Sequence, residues 1–159
     1  MELSDLLAPD AVIGNLKVTS KKQALQELAS RAAQIIKIGD FKTDERAIFD
    51  VLLERERLGT TGVGHGVAIP HGKLPGLTKL HGLFARLEHP VDFDAIDDVP
   101  VDLIFVLLAP EKAGADHLKA LARVSRLLRD KARCERLRNT DHSDALYALL
   151  MDSASSHAA

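Results

Sequence analysis

His71, Arg55 and Lys73 lie around one glycine-rich run, and these residue types together suit the handling of a phosphoryl group. Five of the ten glycines fall in the stretch Gly59-Thr60-Thr61-Gly62-Val63-Gly64-His65-Gly66-Val67-Ala68-Ile69-Pro70-His71-Gly72-Lys73. Glycine admits positive φ angles and lets backbone amides approach an anion with no Cβ between them. Imidazole supplies the matching nucleophile. With an ordinary pKa of about 6.5 it is mostly neutral near pH 7 and keeps one ring nitrogen free to attack phosphorus. An imidazole that takes up a phosphoryl group becomes a phosphoramidate, in which the ring remains a good leaving group. Phosphate oxygens could be met by the hydroxyls of Thr60 and Thr61, the amides of Gly62 and Gly72, and the ammonium of Lys73. Arg55 offers a planar fork, in which one charge-assisted hydrogen bond is worth about 1.5 to 3 kcal/mol. Pro70 has no amide to donate and stiffens the approach to His71, which this reading puts where a strand ends and the chain turns.

Other ionisable residues admit further readings. His65 is either a donor near the phosphate or a solvent-facing loop residue. A metal-dependent hydrolase with His65, His71 and His117 as ligands is a competing reading. The His-x5-His spacing fits no standard zinc pattern, and no metal or other cofactor is expected. Asp92, Asp94, Asp97 and Asp98 read as turn caps, with a possible role in orienting Arg55 or His71. The single cysteine, Cys134, cannot form an internal disulfide and reads as a half-buried small hydrophobe.

The elements that must hold these groups follow from periodicity. Residues 3–18 read as an entry turn and a short extended piece around Leu16 and Val18. Ser20 and Gln23 form a capping box for a first helix, whose apolar positions Ala24, Leu25, Leu28, Ala29, Ala32, Ile35 and Ile36 run toward a stop at Gly39. Thr43 is placed to cap a second helix with the stripe Ala47, Ile48, Val51 and Leu52, whose end delivers Arg55 and Arg57 to the glycine run. Leu80 to Leu87 reads as a strand interrupted by Pro90. Val101 to Leu108 has one polar residue at its start and then none, which predicts a strand covered on both faces at the centre of the sheet. A third helix is expected from His117 to about Leu137, with a basic outer face that reads as solvated. Asp141 or Ser143 would cap a last helix, and residues 153–159 read as a loose tail. Helices alternating with strands predict one α/β layered domain over residues 1–152, a central mixed sheet flanked by helices.

Composition narrows the function classes. The chain has 159 residues, 46% hydrophobic and 28% charged, enough for one ordinary core. A net charge of -2 gives no general attraction to nucleic acid or to anionic membranes. No apolar run reaches membrane-spanning length and the first residues lack a signal peptide's pattern, so a cytoplasmic location without membrane insertion is expected.

The runs Arg55-Glu56-Arg57-Leu58-Gly59-Thr60-Thr61-Gly62 and Gly66-Val67-Ala68-Ile69-Pro70-His71-Gly72-Lys73 resemble the phosphorylation site of the mannitol/fructose-type enzyme IIA domains of the bacterial phosphotransferase system, most of all its stand-alone nitrogen branch. Similarity continues through Phe93-Asp94-Ala95-Ile96-Asp97 and Pro100-Val101-Asp102-Leu103-Ile104-Phe105 to His117-Leu118. The resemblance implies the mannitol-type EIIA fold. It also implies His71 as phosphoryl acceptor, Arg55 as the active-site arginine and His117 as the second active-site histidine. At the level of residues alone, His117 reads first as a helix-start histidine making a cap contact, and only the resemblance reverses that order. His65 departs from the family pattern, where asparagine or another small polar residue is common. By resemblance the donor is a phosphorylated HPr-like protein (NPr), and the targets are regulatory partners such as potassium-transport components. The alternative is a stand-alone IIA component that feeds a separate IIB for sugar uptake.

Overall fold

Nine consecutive residues from Val101 to Ala109 form β6, and all but Asp102 are buried. Successive strand side chains point to opposite faces, so a run this closed needs cover on both. The computed structural model, which describes residues 2–36 and 44–152, puts this strand in the middle of a six-stranded mixed sheet. The other strands are β1 (Val12–Leu16), β2 (Gly62–Gly64), β3 (Val67–Ala68), β4 (His71–Lys73) and β5 (His81–Val91). The order is β1-β5-β6-β3-β2, and β4 also pairs with β6. The β5–β6 and β2–β3 pairs are antiparallel, whereas β1–β5, β3–β6 and β4–β6 are parallel. The expected mixed sheet with flanking helices is therefore the fold.

Two short strands share one edge of β6. Val67 and Ala68 pair with Leu103 and Ile104, and His71, Gly72 and Lys73 pair with Leu107, Leu108 and Ala109. The chain thus returns to the same ladder in register after Ile69 and Pro70. His71 opens a strand, contrary to the expectation that a strand ends there. The interruption is local: Ile69 turns its amide to the Thr61 carbonyl at 3.0 Å, and Pro70 has no amide to offer.

The helices are α1 (Lys21–Ile36), α2 (Glu45–Leu58), α3 (Ala115–Leu128), α4 (Lys131–Arg138) and α5 (Ser143–Met151). Ser20 Oγ accepts from the Gln23 amide at 3.1 Å, but the Gln23 side chain returns to the Thr19 amide at 2.7 Å, so the capping box closes one residue earlier than expected. The expected stop at Gly39 and cap at Thr43 lie outside the described residues, as does the tail. Asp44 caps α2 by accepting from the Ala47 amide at 2.6 Å.

Three further expectations are corrected. Pro90 does not end β5: the strand runs to Val91 across a register shift between Arg86 and Val91, which absorbs a residue that cannot donate to the ladder. The single helix expected over 117–137 is two. Arg129 ends α3, and Asp130 starts α4 by accepting from the Arg133 amide at 3.2 Å. The α5 cap is His142, without a side-chain bond, in place of Asp141 or Ser143.

The basic face of that region is also only partly solvated. Arg133 is 2% exposed, and its guanidinium donates to the carbonyls of Leu149, Leu150 and Asp152 at 2.9, 3.1 and 2.6 Å. It thereby serves the carbonyls that α5 leaves unpaired at its end. Arg138 donates through Nε to Asp102 at 2.9 Å and through Nη2 to the His65 carbonyl at 2.6 Å.

Candidate functional site

Helix α2 reaches the sheet at β4 because Gly72 lets it. A Cβ built on Gly72 would sit 2.3 Å from Val51 Cγ1, a distance no real contact tolerates. Arg55 follows Val51 by four residues, on the same face of the helix one turn on. The close approach therefore lays Arg55 over the neighbour of Gly72: its Nε–H donates to His71 Nε2 at 3.3 Å, while Nη1 donates to the Gly59 carbonyl at 2.9 Å.

These contacts assign the tautomer of His71. Nδ1 lies 2.8 Å from the Ile69 carbonyl, which can only accept, so Nδ1 carries the proton. Arg55 can only donate, so Nε2 carries the lone pair. Burial pushes the His71 pKa below its ordinary 6.5; the Ile69 hydrogen bond and Glu56 pull it up, and Arg55 adds to the depression. A half-buried, neutral imidazole thus presents one basic nitrogen, Nε2.

His117 comes from the other side. It is the third residue of α3, behind Gly114, whose φ of 53° and ψ of -119° suit a residue without a side chain. Its ring centroid is 5.7 Å from that of His71, with the planes at 72°. The residue is 9% exposed, and Nε2 is buried with no hydrogen-bond partner among the described residues. Its pKa too lies below 6.5, first through burial and then through His71 and Lys73. An open cleft of about 590 Å³ is bordered by Arg55, His71, Gly72, Lys73 and His117, with Leu58 on its rim. Leu58 and Leu118 are among the most exposed large apolar side chains of the described residues.

The remaining residues singled out from the sequence are elsewhere or otherwise engaged. The Thr61 hydroxyl bonds Glu56, and its amide donates to the same carboxylate at 3.1 Å. The Thr60 hydroxyl donates to the Phe93 carbonyl at 2.8 Å and accepts from the Gly62 amide at 3.0 Å. A Cβ on Gly62 would meet Ala95 at 2.9 Å, so this glycine answers to packing. His65 sits at the tip of the β2–β3 hairpin with φ 57°, its amide donating to Asp97 at 2.8 Å, and it borders a different cleft from His71. Asp97 accepts from Val99 as well, and these two amides hold its carboxyl below the usual range. Asp92 likewise binds a turn, accepting from the Asp94 amide at 2.9 Å, while the Asp94 carboxylate lies 3.9 Å from Lys21. Among the described residues no three His, Cys, Asp or Glu side chains gather as a metal site would need.

Sequence reasoning missed what anchors the end of α2. Glu56 is buried and forms an ion pair with Lys21 at 2.8 Å, and Lys21 lies 4.9 Å above the Phe93 ring. The signal was present as a carboxylate on the apolar side of α2, four residues beyond Leu52, but its partner is 35 residues earlier in the chain.

Comparison with known proteins identifies the family and the fold. The family described as "Phosphoenolpyruvate-dependent sugar phosphotransferase system, EIIA 2" matches residues 5–153. A nitrogen regulatory protein from Bradyrhizobium diazoefficiens is 59% identical over 150 residues, covering 94% of this chain and 95% of the relative. The crystal structure of nitrogen regulatory protein IIA-Ntr from Neisseria meningitidis superposes with a TM-score of 0.85 at 34% identity, covering 93% of this chain and 98% of the other. The mannitol IIA of Escherichia coli shares the fold, with a TM-score of 0.72 at 21% identity over 90% of this chain and 97% of its own. No helix among the described residues is long and apolar enough to cross a membrane. With the family pattern running from the entry turn through the end of α5, the chain belongs to the type-2 EIIA family of the phosphotransferase system and is similar throughout to its nitrogen-regulatory members.

Proposed function

We propose that this protein is a phosphohistidine carrier of the nitrogen-branch phosphotransferase system. His71 accepts a phosphoryl group from a phosphorylated HPr-like protein (NPr), and the phosphorylation state sets which regulatory targets it binds in the cytoplasm, potassium-transport components among them. The observation that carries this reading is the tautomer of His71: Nδ1–H is committed to the Ile69 carbonyl, leaving the Nε2 lone pair on the side of Arg55 and the open cleft.

In the transfer, the Nε2 lone pair forms the new N–P bond as the P–N bond to the donor's histidine breaks, and that bond's electron pair leaves with the donor imidazole. Arg55 gives up its hydrogen bond to Nε2 and turns its fork to the phosphoryl oxygens. Nε2 of His117, without a partner among the described residues, and the ammonium of Lys73 are the other groups at the cleft suited to those oxygens. The proton stays on Nδ1, hydrogen-bonded to the Ile69 carbonyl throughout, so the ring leaves as a neutral imidazole when the phosphoryl moves on. Thr60, Thr61 and Gly62 support this site by tying down the end of α2, which carries Arg55, and Gly72 supports it through the closeness of α2; His65 lies at another cleft.

Intact mass after incubation with phosphoenolpyruvate, enzyme I and an HPr-type carrier tests the proposal. One acid-labile phosphoryl group is expected on the wild type and His117→Ala, more slowly on the latter, and none on His71→Ala. Nitrogen NMR of the product should put the phosphorus on Nε2. No gain from a donor proven active on another acceptor would end the carrier reading. Rapid onward transfer to a sugar-specific IIB, with no state-dependent binding of a regulatory target, would favour a stand-alone sugar-uptake component instead.

A further inference from the structure

A second cleft, of about 350 Å³, lies between the N-terminal turn, α3 and α5, lined by residues distinct from those of the His71 cleft. Part of its wall is apolar: Leu3, Leu127, Leu150 and Met151, with Tyr147 adding a ring. Two arginines line it from α3 with donors largely unspent, and Arg133 lines it from α4. Arg123 has its Nε out of solvent with no hydrogen-bond partner among the described residues, and its ion pair is a 3.6 Å approach to the exposed carboxylate of Glu2. Arg126, one turn further along α3, is exposed, and no ion pair is formed by it among the described residues. The acidic residue deeper in the lining, Asp130, faces Arg133 and caps α4.

We propose that this cleft is a binding site for an amphipathic organic anion, its aromatic or aliphatic body against Leu127, Tyr147 and Leu150 and its anionic head on Arg123 and Arg126. The volume falls within the range of small-molecule pockets, about 300 to 1,000 Å³, and the lining is amphipathic, five apolar or aromatic side chains beside six polar or charged ones, which suits a ligand with an apolar body and a charged head. Two cations three residues apart on one helix face present adjacent donors to a single head group. Glu2, exposed and distant by hydrogen-bond standards, is the contact that the ligand displaces.

The probe is 8-anilinonaphthalene-1-sulfonate, compared with its uncharged parent N-phenyl-1-naphthylamine, on the full chain by fluorescence titration and amide shift mapping. One saturable site is expected, with shifts at Leu127, Tyr147 and Leu150, and the sulfonate should bind at least about tenfold tighter than the parent, the scale of one charge-assisted hydrogen bond. Arg123→Gln and Arg126→Gln should each remove most of that preference while leaving parent binding within about twofold. Arg126→Gln serves as the variant whose folding is secure, its side chain being exposed, and Arg129→Gln, on the same helix end, should change nothing. Equal binding of the two probes, shifts that map to another cleft, wild-type behaviour of both variants, or no binding by concentrations on the order of 1 mM would overturn the assignment.

Discussion

Two hydrogen bonds sort the nitrogens of His71, one to the Ile69 carbonyl and one from Arg55, and in the proposed transfer the Arg55 bond is the one that gives way. Removing that cation takes away one of the influences that lower the His71 pKa, so Arg55→Gln should raise the value toward 6.5 while burial keeps it below. The same change should slow phosphoryl acceptance about 10- to 150-fold, the equivalent of one charge-assisted hydrogen bond of about 1.5 to 3 kcal/mol. Carbon- or nitrogen-detected titration of the ring gives the first quantity and quenched-flow mass analysis the second. An unmoved His71 pKa would mean that the guanidinium does not face the ring in solution. In the wild type, protonation of Nε2 removes the attacking lone pair, so the rate should rise with pH through a midpoint below 6.5 and be level around neutrality.

Between elements, the contact that matters most to the site has no charge in it. Gly72→Ala should push α2 away from β4, costing about 1 to 3 kcal/mol of stability through overpacking and carrying Arg55 off His71. Val51→Ala in the same chain relieves the collision, so the double variant should regain transfer rate beyond what two independent changes would give. Urea denaturation and transfer kinetics on the four members of the cycle decide this; additive losses would rule out the proposed wedge. At the far end of the molecule, Arg133→Met should destabilise by about 3 kcal/mol, since it strips three carbonyls at the end of α5 of their donor. Hydrogen exchange should then show the α4–α5 amides opening first, with β6 still protected.

At the scale of the whole molecule, the site makes folding sensitive to acid. Both His71 and His117 have folded-state pKa values below 6.5, so as pH falls through 6.5 the unfolded chain takes up protons first and stability declines. Above about 6.5 both states are neutral at these rings and the dependence from them vanishes; below the folded values it levels off. Urea midpoints measured across this window should show the decline, and His117→Ala should flatten it. Much of this architecture was legible in the chain. The apolar run of β6 requires cover on both faces whatever surrounds it, and the stripes of α1 and α2 follow from a 3.6-residue period. The conjunction of histidine, proline, glycine and arginine near residues 55–73 pointed to phosphoryl chemistry because few other tasks use those groups together. Spacing could not decide which of those groups converge, since that depends on pairings between distant segments. Glycine-richness suggested an anion-holding loop over residues 59–73, yet within it Thr60, Thr61 and Gly62 tie the end of α2 to the loop around Phe93 and Ala95, and His65 turns a hairpin against Asp97. Only the tertiary structure decided the tautomer of His71, the burial of His117 Nε2 without a partner among the described residues and the closeness of α2 to β4, because each is set by a carbonyl, a ring or a methyl group brought from elsewhere in the fold.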